Sequence, residues 1–225
     1  MSKKTIILTL LVVAASLLAG TFGGHLIRPF IEAWRATDMS SQAQTLSLQS
    51  LTVGPSAVVA ANPEGDVTVI EFFDYQCPVC RRVHPDVQAL VAEDSGVRLI
   101  HKHWPIFGDG SVYAAKVALA ARRQGKYEQV HDRLMRSRGK LDEAKVREIA
   151  AAAGVDLHRL DRDLEVHGEE IEAAVADASI QARLLGLPGT PGYLIGRYLV
   201  PGGLDLPALK RIVADARAGK DEAPN

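Results

Sequence analysis

From about residue 57 onward, short runs of β-branched and aromatic residues alternate with longer stretches whose apolar positions recur every three or four residues. Val67 to Phe73 is apolar almost throughout and follows Asn62-Pro63-Glu64-Gly65-Asp66, which predicts a buried strand after a turn. Arg81 to Ala92 carries Val83, Val87, Leu90 and Val91 at helical spacing, and Pro78 suits the first turn of that helix, where its missing N–H costs nothing. Val97 to Pro105 predicts a second strand, and the crossover between the two implies that they run parallel. Five helices are then expected: Val112–Gln124 capped by Ser111, Lys126–Ser137, a segment to Ala153 capped by Asp142 and closed by Gly154, Asp156–Glu165, and Gly168–Leu185. Tyr193–Ile195 and Arg197–Val200 read as a hairpin around Gly196, and Asp205 caps a last helix from Leu206 to about Ala218. Leu46 to Val53 alternates apolar and polar side chains and reads as a short strand.

The first residues follow a different pattern. Lys3 and Lys4 precede an uncharged stretch, Thr5 to Gly24, with an aliphatic centre, Ile6 to Ala19. About 20 such residues cross a bilayer core as a helix. Cleavage by a signal peptidase prefers small residues in an A-x-A-like pattern, which Ala19-Gly20-Thr21 before Phe22 supplies poorly. Residues 1–27 are therefore expected to be a signal anchor, with a cleaved signal peptide as the alternative. Residues 28–56, rich in Ser and Gln around Ser40 to Gln49, read as a membrane-proximal tether; nothing in them requires self-association. Either way the rest of the chain leaves the cytoplasm for an oxidising compartment.

The 225 residues are 47% hydrophobic and 24% charged, enough for one or two globular domains and incompatible with wholesale disorder. The net charge of −1 excludes a strongly basic face, so nucleic acid is not an expected partner. Cys77 and Cys80 are the two cysteines, one helical turn apart, so they staple nothing distant.

The two cysteines carry the chemistry. Cys77 falls at the N-cap of the predicted helix, where free backbone N–H groups and the positive end of the dipole favour a thiolate. Cys80 lies one turn deeper on the same face, placed to attack a mixed disulfide at Cys77, so one sulfur is expected exposed and the other covered. A structural zinc site needs four ligands, usually two such pairs, and there is no second pair and no His-x₃₋₅-His tract at finger spacing. An inert disulfide is the other alternative to a redox-active dithiol. His101 and His103 alternate on one strand face with Lys102 on the other, and a metal role for them lacks a third ligand. His84, about two turns after Cys77, reads as a surface residue. Pro191, before a strand in a Gly-rich setting, is a candidate cis peptide.

These residues resemble the DsbA-like branch of the thioredoxin superfamily, the periplasmic thiol–disulfide oxidoreductases. The resemblance rests on Val67 to Tyr75 leading into Gln76-Cys77-Pro78-Val79-Cys80, on Lys102-His103-Trp104-Pro105, and on Gly189-Thr190-Pro191 before a strand. It covers roughly residues 57–218 and implies an α/β thioredoxin fold (βαβ…ββα) with a helical subdomain inserted at about 111–186, leaving 219–225 as a tail. By resemblance, Cys77 is the nucleophile and Cys80 the resolving thiol. Pro78, Val79, Thr190 and Pro191 contact the substrate chain, and Glu71 is a buried carboxylate that moves a proton for Cys80, with Lys102 as a candidate partner. No metal or organic cofactor is implied. The partners would be exported proteins with cysteine thiols and a membrane partner that resets the dithiol. Oxidation of substrates is the expected direction, with reductase or isomerase activity, or a tethered binding module without turnover, as alternatives. Val79 stands where the strongest oxidants of the family carry His, so no cation flanks the thiolate there. Gly192 and Tyr193 also replace the small polar residue common after the proline, which bears on substrate preference.

Overall fold

The computed structural model describes residues 48–219. The expected anchor, residues 28–47 of the expected tether and residues 220–225 lie outside the described residues. Among the described residues, no helix is long and apolar enough to cross a membrane.

The described residues open with helix α1 (Leu48–Thr52), where alternation predicted a strand. Five residues carry too little pattern to separate the two periods, and the backbone here takes a single helical turn and a half. Strand β1 (Val58–Ala61) follows, unforeseen because four residues without alternation give no period to read. Then come β2 (Val67–Phe73), α2 (Pro78–Glu93), β3 (Val97–His103), α3 (Asp109–Ala121) with a 3₁₀ turn at Arg122–Gln124, α4 (Tyr127–Arg136), α5 (Glu143–Ala152), α6 (Leu157–Val166) and α7 (Gly168–Leu184). Strands β4 (Gly192–Ile195) and β5 (Tyr198–Pro201) and helix α8 (Leu206–Arg217) end the fold. Asp142 and Asp205 cap α5 and α8 by accepting a backbone N–H three residues on, as their positions predict, and Asp156, expected inside its helix, caps α6 in the same way. Ser111 does not cap α3: it sits inside the first turn and turns its hydroxyl to Asp74.

The sheet order is β1-β3-β2-β4-β5. β2 and β3 are parallel, as the crossover requires, and the other pairs are antiparallel. Five helices lie between β3 and β4, where the insertion is expected. Register decides what each face holds. Glu71 pairs with His101 and Phe72 with Lys102, so a period of two sends Glu71 and His101 to one face and Lys102 to the other. The expected Glu71–Lys102 pairing is therefore geometrically excluded. Helices α2 and α8 pack together on the Glu71 face, where Val67, Val69, Leu99, Tyr193, Val87, Leu90, Leu209 and Val213 form one core cluster.

On the opposite face Lys102 is fully buried. Its Nζ donates to Ser56 Oγ at 2.8 Å, Ser56 donates to Asp177 Oδ2 of α7 at 2.5 Å, and Gln181 Nε2 donates to the same oxygen at 2.9 Å. Burial lowers the Lys102 pKa to about 8, against the opposing pull of Asp177. This chain of polar groups ties the segment before β1 to the sheet and to α7. Ser56→Ala removes the acceptor from a buried ammonium and should cost about 1–3 kcal/mol, read as a lower urea midpoint at unchanged slope.

Candidate active site

The site is built where β2 runs into α2. Asp74, buried, accepts four hydrogen bonds: from Gln76 N (2.6 Å) and Ser111 Oγ (2.6 Å) at Oδ1, and from Ile106 N (2.6 Å) and Phe107 N (2.9 Å) at Oδ2. Its carbonyl accepts from Cys77 N at 3.1 Å. One carboxylate thus fixes the loop before the cysteines to the loop after β3. Gln76 extends the join, donating to Phe107 O and Ser111 Oγ and accepting from Leu141 N. Arg81 completes it through Tyr75 O, Gly139 O and Ser137 Oγ. None of these roles was legible in the sequence, because an Asp or Gln before a CxxC reads as ordinary loop polarity.

Cys77 is the N-cap of α2, and Pro78 opens the helix. The Cys77 sulfur accepts from Cys80 N at 3.4 Å, and its thiol donates to Thr190 O at 3.2 Å. The Thr190–Pro191 peptide is cis. The expected exposed sulfur is not found: Cys77 is 2% and Cys80 0% exposed, because the Thr190–Pro191 loop lies against the first sulfur. Both thiols are free. The electrostatics still separate them. The Cys77 pKa is drawn down to about 6, chiefly by the hydrogen bond from the Cys80 thiol; burial opposes this, and the Thr190 hydroxyl and the N–H groups of Cys80 and Val79 reinforce it. In the observed geometry that hydroxyl makes no hydrogen bond among the described residues, so it must reorient to reach the sulfur; the contact formed is from the Cys77 thiol to the Thr190 carbonyl. Burial, then the neighbouring Cys77, pushes the Cys80 thiol far up. Pro191 and Val79 both approach Gly203. A Cβ there would stand 2.7 Å from Val79 Cγ1, 3.0 Å from Val83 Cγ1 and 4.0 Å from Pro191 Cγ.

Glu71 lies on the same sheet face and is 2% exposed. Tyr193 Oη donates to its Oε1 at 3.2 Å, and His101 Nε2 stands 3.8 Å from its Oε2. Burial raises its pKa to about 7; the Tyr193 bond opposes the rise and the Cys77 charge adds to it. Tyr193 is therefore buried beside the carboxylate instead of lining a substrate surface. Behind Glu71 lies a buried cluster of rings: Phe73, Tyr75, Tyr127, His101, His103 and His131. Tyr127 Oη bridges His101 Nδ1 (3.0 Å) and His103 Nε2 (3.1 Å), and Tyr75 Oη meets His131 Nδ1 at 3.1 Å. His84 is not a surface residue. It is buried against His131 and bonds Asp132 Oδ1 at 3.0 Å, because its helix face turns toward α4. Among the described residues no three His, Cys, Asp or Glu side chains are arranged to hold a metal.

A mixed sheet, a CxxC at the start of the helix after β2 and a cis-proline loop over the first sulfur together define a thioredoxin-like fold. The chain belongs to the DsbA-like family of thiol–disulfide oxidoreductases: the family model for the DSBA-like thioredoxin domain matches residues 68–214. Among solved structures, the chain is similar to a thioredoxin-like oxidoreductase from Silicibacter pomeroyi DSS-3. The two are 47% identical with a TM-score of 0.73, covering 76% of this chain and 98% of that one. It is also similar to a periplasmic thioredoxin-like protein from Salmonella enterica serovar Typhimurium, at 26% identity and a TM-score of 0.66, over 75% of this chain and 94% of that one. Among curated proteins, it is 30% identical over 69% of its length to the Na(+)/H(+) antiporter NhaA 1 of Salinispora arenicola. The chain spans 24% of that relative's length.

Two outcomes follow from the titrations. Iodoacetamide should modify reduced Cys77 with a midpoint near pH 6, Cys80 should stay unmodified at neutrality, and Thr190→Val should move the midpoint up. The unfolded chain keeps the Cys77 proton up to about pH 9.0, while the folded chain releases it above about 6, so reduced protein gains stability as pH rises through that window. Glu71, raised from 4.5 to about 7, acts in the opposite sense below neutrality. Urea unfolding of the reduced protein should therefore show stability rising above pH 7, with a smaller rise in Cys77→Ser.

Proposed function

We propose that the protein is a thiol–disulfide oxidoreductase that oxidises exported proteins through a Cys77–Cys80 disulfide. The observation that carries this reading is the contrast between the two thiols at one helix start. Cys77 is lowered to about 6 and the adjacent Cys80 is raised far above the ordinary thiol range. A substrate thiolate attacks Cys77 Sγ, the Cys77–Cys80 bond breaks, and its electron pair goes to Cys80, which takes up a proton. A second substrate thiolate then attacks the substrate sulfur of the mixed disulfide, and Cys77 leaves as the thiolate. A low thiol pKa makes Cys77 a good leaving group and stabilises the reduced form, which favours oxidation of the substrate. Val79 supplies no cation, but hydrogen bonds from Cys80, Thr190 and Val79 N–H do the stabilising.

Thr190 and Pro191, with Pro78 and Val79, form the substrate contact in this reading. Ile106 and the 48%-exposed Phe107 add an apolar margin, since Ile106 Cδ1 lies 4.0 Å from where a Cβ of Gly189 would stand. Glu71 exchanges the Cys80 proton. The redox centre needs no metal or organic cofactor, and a membrane partner reoxidises the dithiol. Residues 48–218 act as the redox domain, since Leu51 and Ser56 are buried in it, with the helical insertion at about 111–186, and work on the periplasmic side of a membrane held by residues 1–27 and the part of the expected 28–56 tether that precedes residue 48. The hydrophobic start of the sequence and the periplasmic source of the Salmonella neighbour support that placement.

Cys80→Ala should accumulate mixed disulfides through Cys77 with exported thiol proteins, and the full chain should oxidise a dithiol peptide. Oxidation should vanish in Cys77→Ser. Insulin reduction without peptide oxidation would assign the opposite direction of electron flow.

A further inference from the structure

Besides His131 Nε2, two buried imidazole nitrogens in the ring cluster behind Glu71 have no hydrogen-bond partner among the described residues: His101 Nε2 and His103 Nδ1. They are the two ends of one continuous chain. His101 Nε2 faces Glu71 Oε2 at 3.8 Å, His101 Nδ1 bonds Tyr127 Oη at 3.0 Å, and Tyr127 Oη bonds His103 Nε2 at 3.1 Å. Each member both accepts and donates a proton, so the chain can run in either polarity with every group neutral. We propose that His101, Tyr127 and His103 form a proton wire that refills and empties Glu71 from the His103 end of β3, without passing the cysteines. The inference rests on the reading of Glu71 as the proton partner of Cys80.

The balance closes over a cycle. During substrate oxidation Glu71 gives its proton to the departing Cys80 sulfur. The carboxylate regains a proton from His101 Nε2, His101 Nδ1 takes one from Tyr127, Tyr127 takes one from His103 Nε2, and the buried His103 Nδ1 takes one from a water molecule that must enter beside it. Reoxidation of the dithiol first runs the chain backward, releasing a proton at His103 Nδ1. The emptied Glu71 then accepts the Cys80 proton as the disulfide forms, which restores the starting polarity. The 3.8 Å gap must close by about 1 Å for the Glu71–His101 transfer.

The surroundings suit neutral carriers. Burial holds His101 well below its ordinary range, with the neighbouring His103 and His84 adding to the effect, and burial with Arg122 brings His103 to about 3. Glu71 is faced by Tyr193 from β4, by the cysteines of α2 and by His101; the histidine pair is faced by Tyr127 and His131 of α4, and by Tyr75 beside them. Tyr127, the middle member of the chain, lines with Arg122 an open pocket of about 270 Å³ beside β1, which brings the chain close to solvent at that point.

Tyr127→Phe cuts the wire while keeping the ring. In the full chain it should slow the Cys80-dependent resolution of a Cys77 mixed disulfide by roughly 10²-fold, the scale of lost acid–base catalysis. It should also add a solvent deuterium isotope effect absent from the parent and leave the rate and pH midpoint of Cys77 alkylation unchanged. His101→Gln should do the same. Parental resolution rates in both variants, or an equal slowing of alkylation and resolution, would overturn the wire. A parental rate in Glu71→Gln would overturn instead the proton-transfer reading beneath it.

Discussion

The placement of the reactive sulfur depends on a carboxylate that takes no part in sulfur chemistry. Asp74 is buried with four donors converging on it from the loop before α2, the loop after β3 and the first turn of α3. Each of those segments would otherwise bring unpaired N–H or hydroxyl groups into the interior, at about 1–3 kcal/mol each. Satisfying them at one point makes the path of residues 74–77 single-valued. The Cys77 N–H is held by the same residue's carbonyl, so the helix starts at that residue and its sulfur is aimed at the backbone N–H of Cys80.

From that starting point the sheet divides the buried polar groups by face. Glu71, Tyr193 and His101 share the side covered by α2, directly in line with the thiol chemistry. Lys102, Ser56 and Asp177 occupy the other side and hold the chain before β1. A lysine and a glutamate one strand apart thus never meet. Had they met, the ammonium would have favoured an ionised Glu71 and depressed its pKa. With a phenol, a neutral imidazole and the Cys77 sulfur nearby and no cation, burial dominates and the carboxyl titrates near neutrality.

Much of this was legible in the sequence wherever a pattern was long or a residue had one structural use. The largely apolar seven residues of β2, the proline and cysteine at the start of α2, the capping aspartates of α5 and α8, and the Gly-flanked Thr190–Pro191 all read directly. Short elements did not: α1 and β1 have five and four residues, fewer than either period needs to declare itself. Long-range polar contacts were also hidden. Gln76 to Leu141, Arg81 to Gly139 and His84 to Asp132 join segments that only the folded chain brings together. The bond from Tyr193 to Glu71 was hidden for the same reason, since the two are 122 positions apart.

Gly203 has no side chain where one would collide with Val79 and Val83, and Pro191 lies at van der Waals distance from the same point. The dipeptide between the cysteines is therefore not an independent cassette. A bulkier or cationic residue grafted at position 79 must find its volume on the partly exposed side of Val79, away from the Gly203 backbone. Retuning this redox centre is thus a joint choice of positions 79 and 203, made across 124 residues of chain.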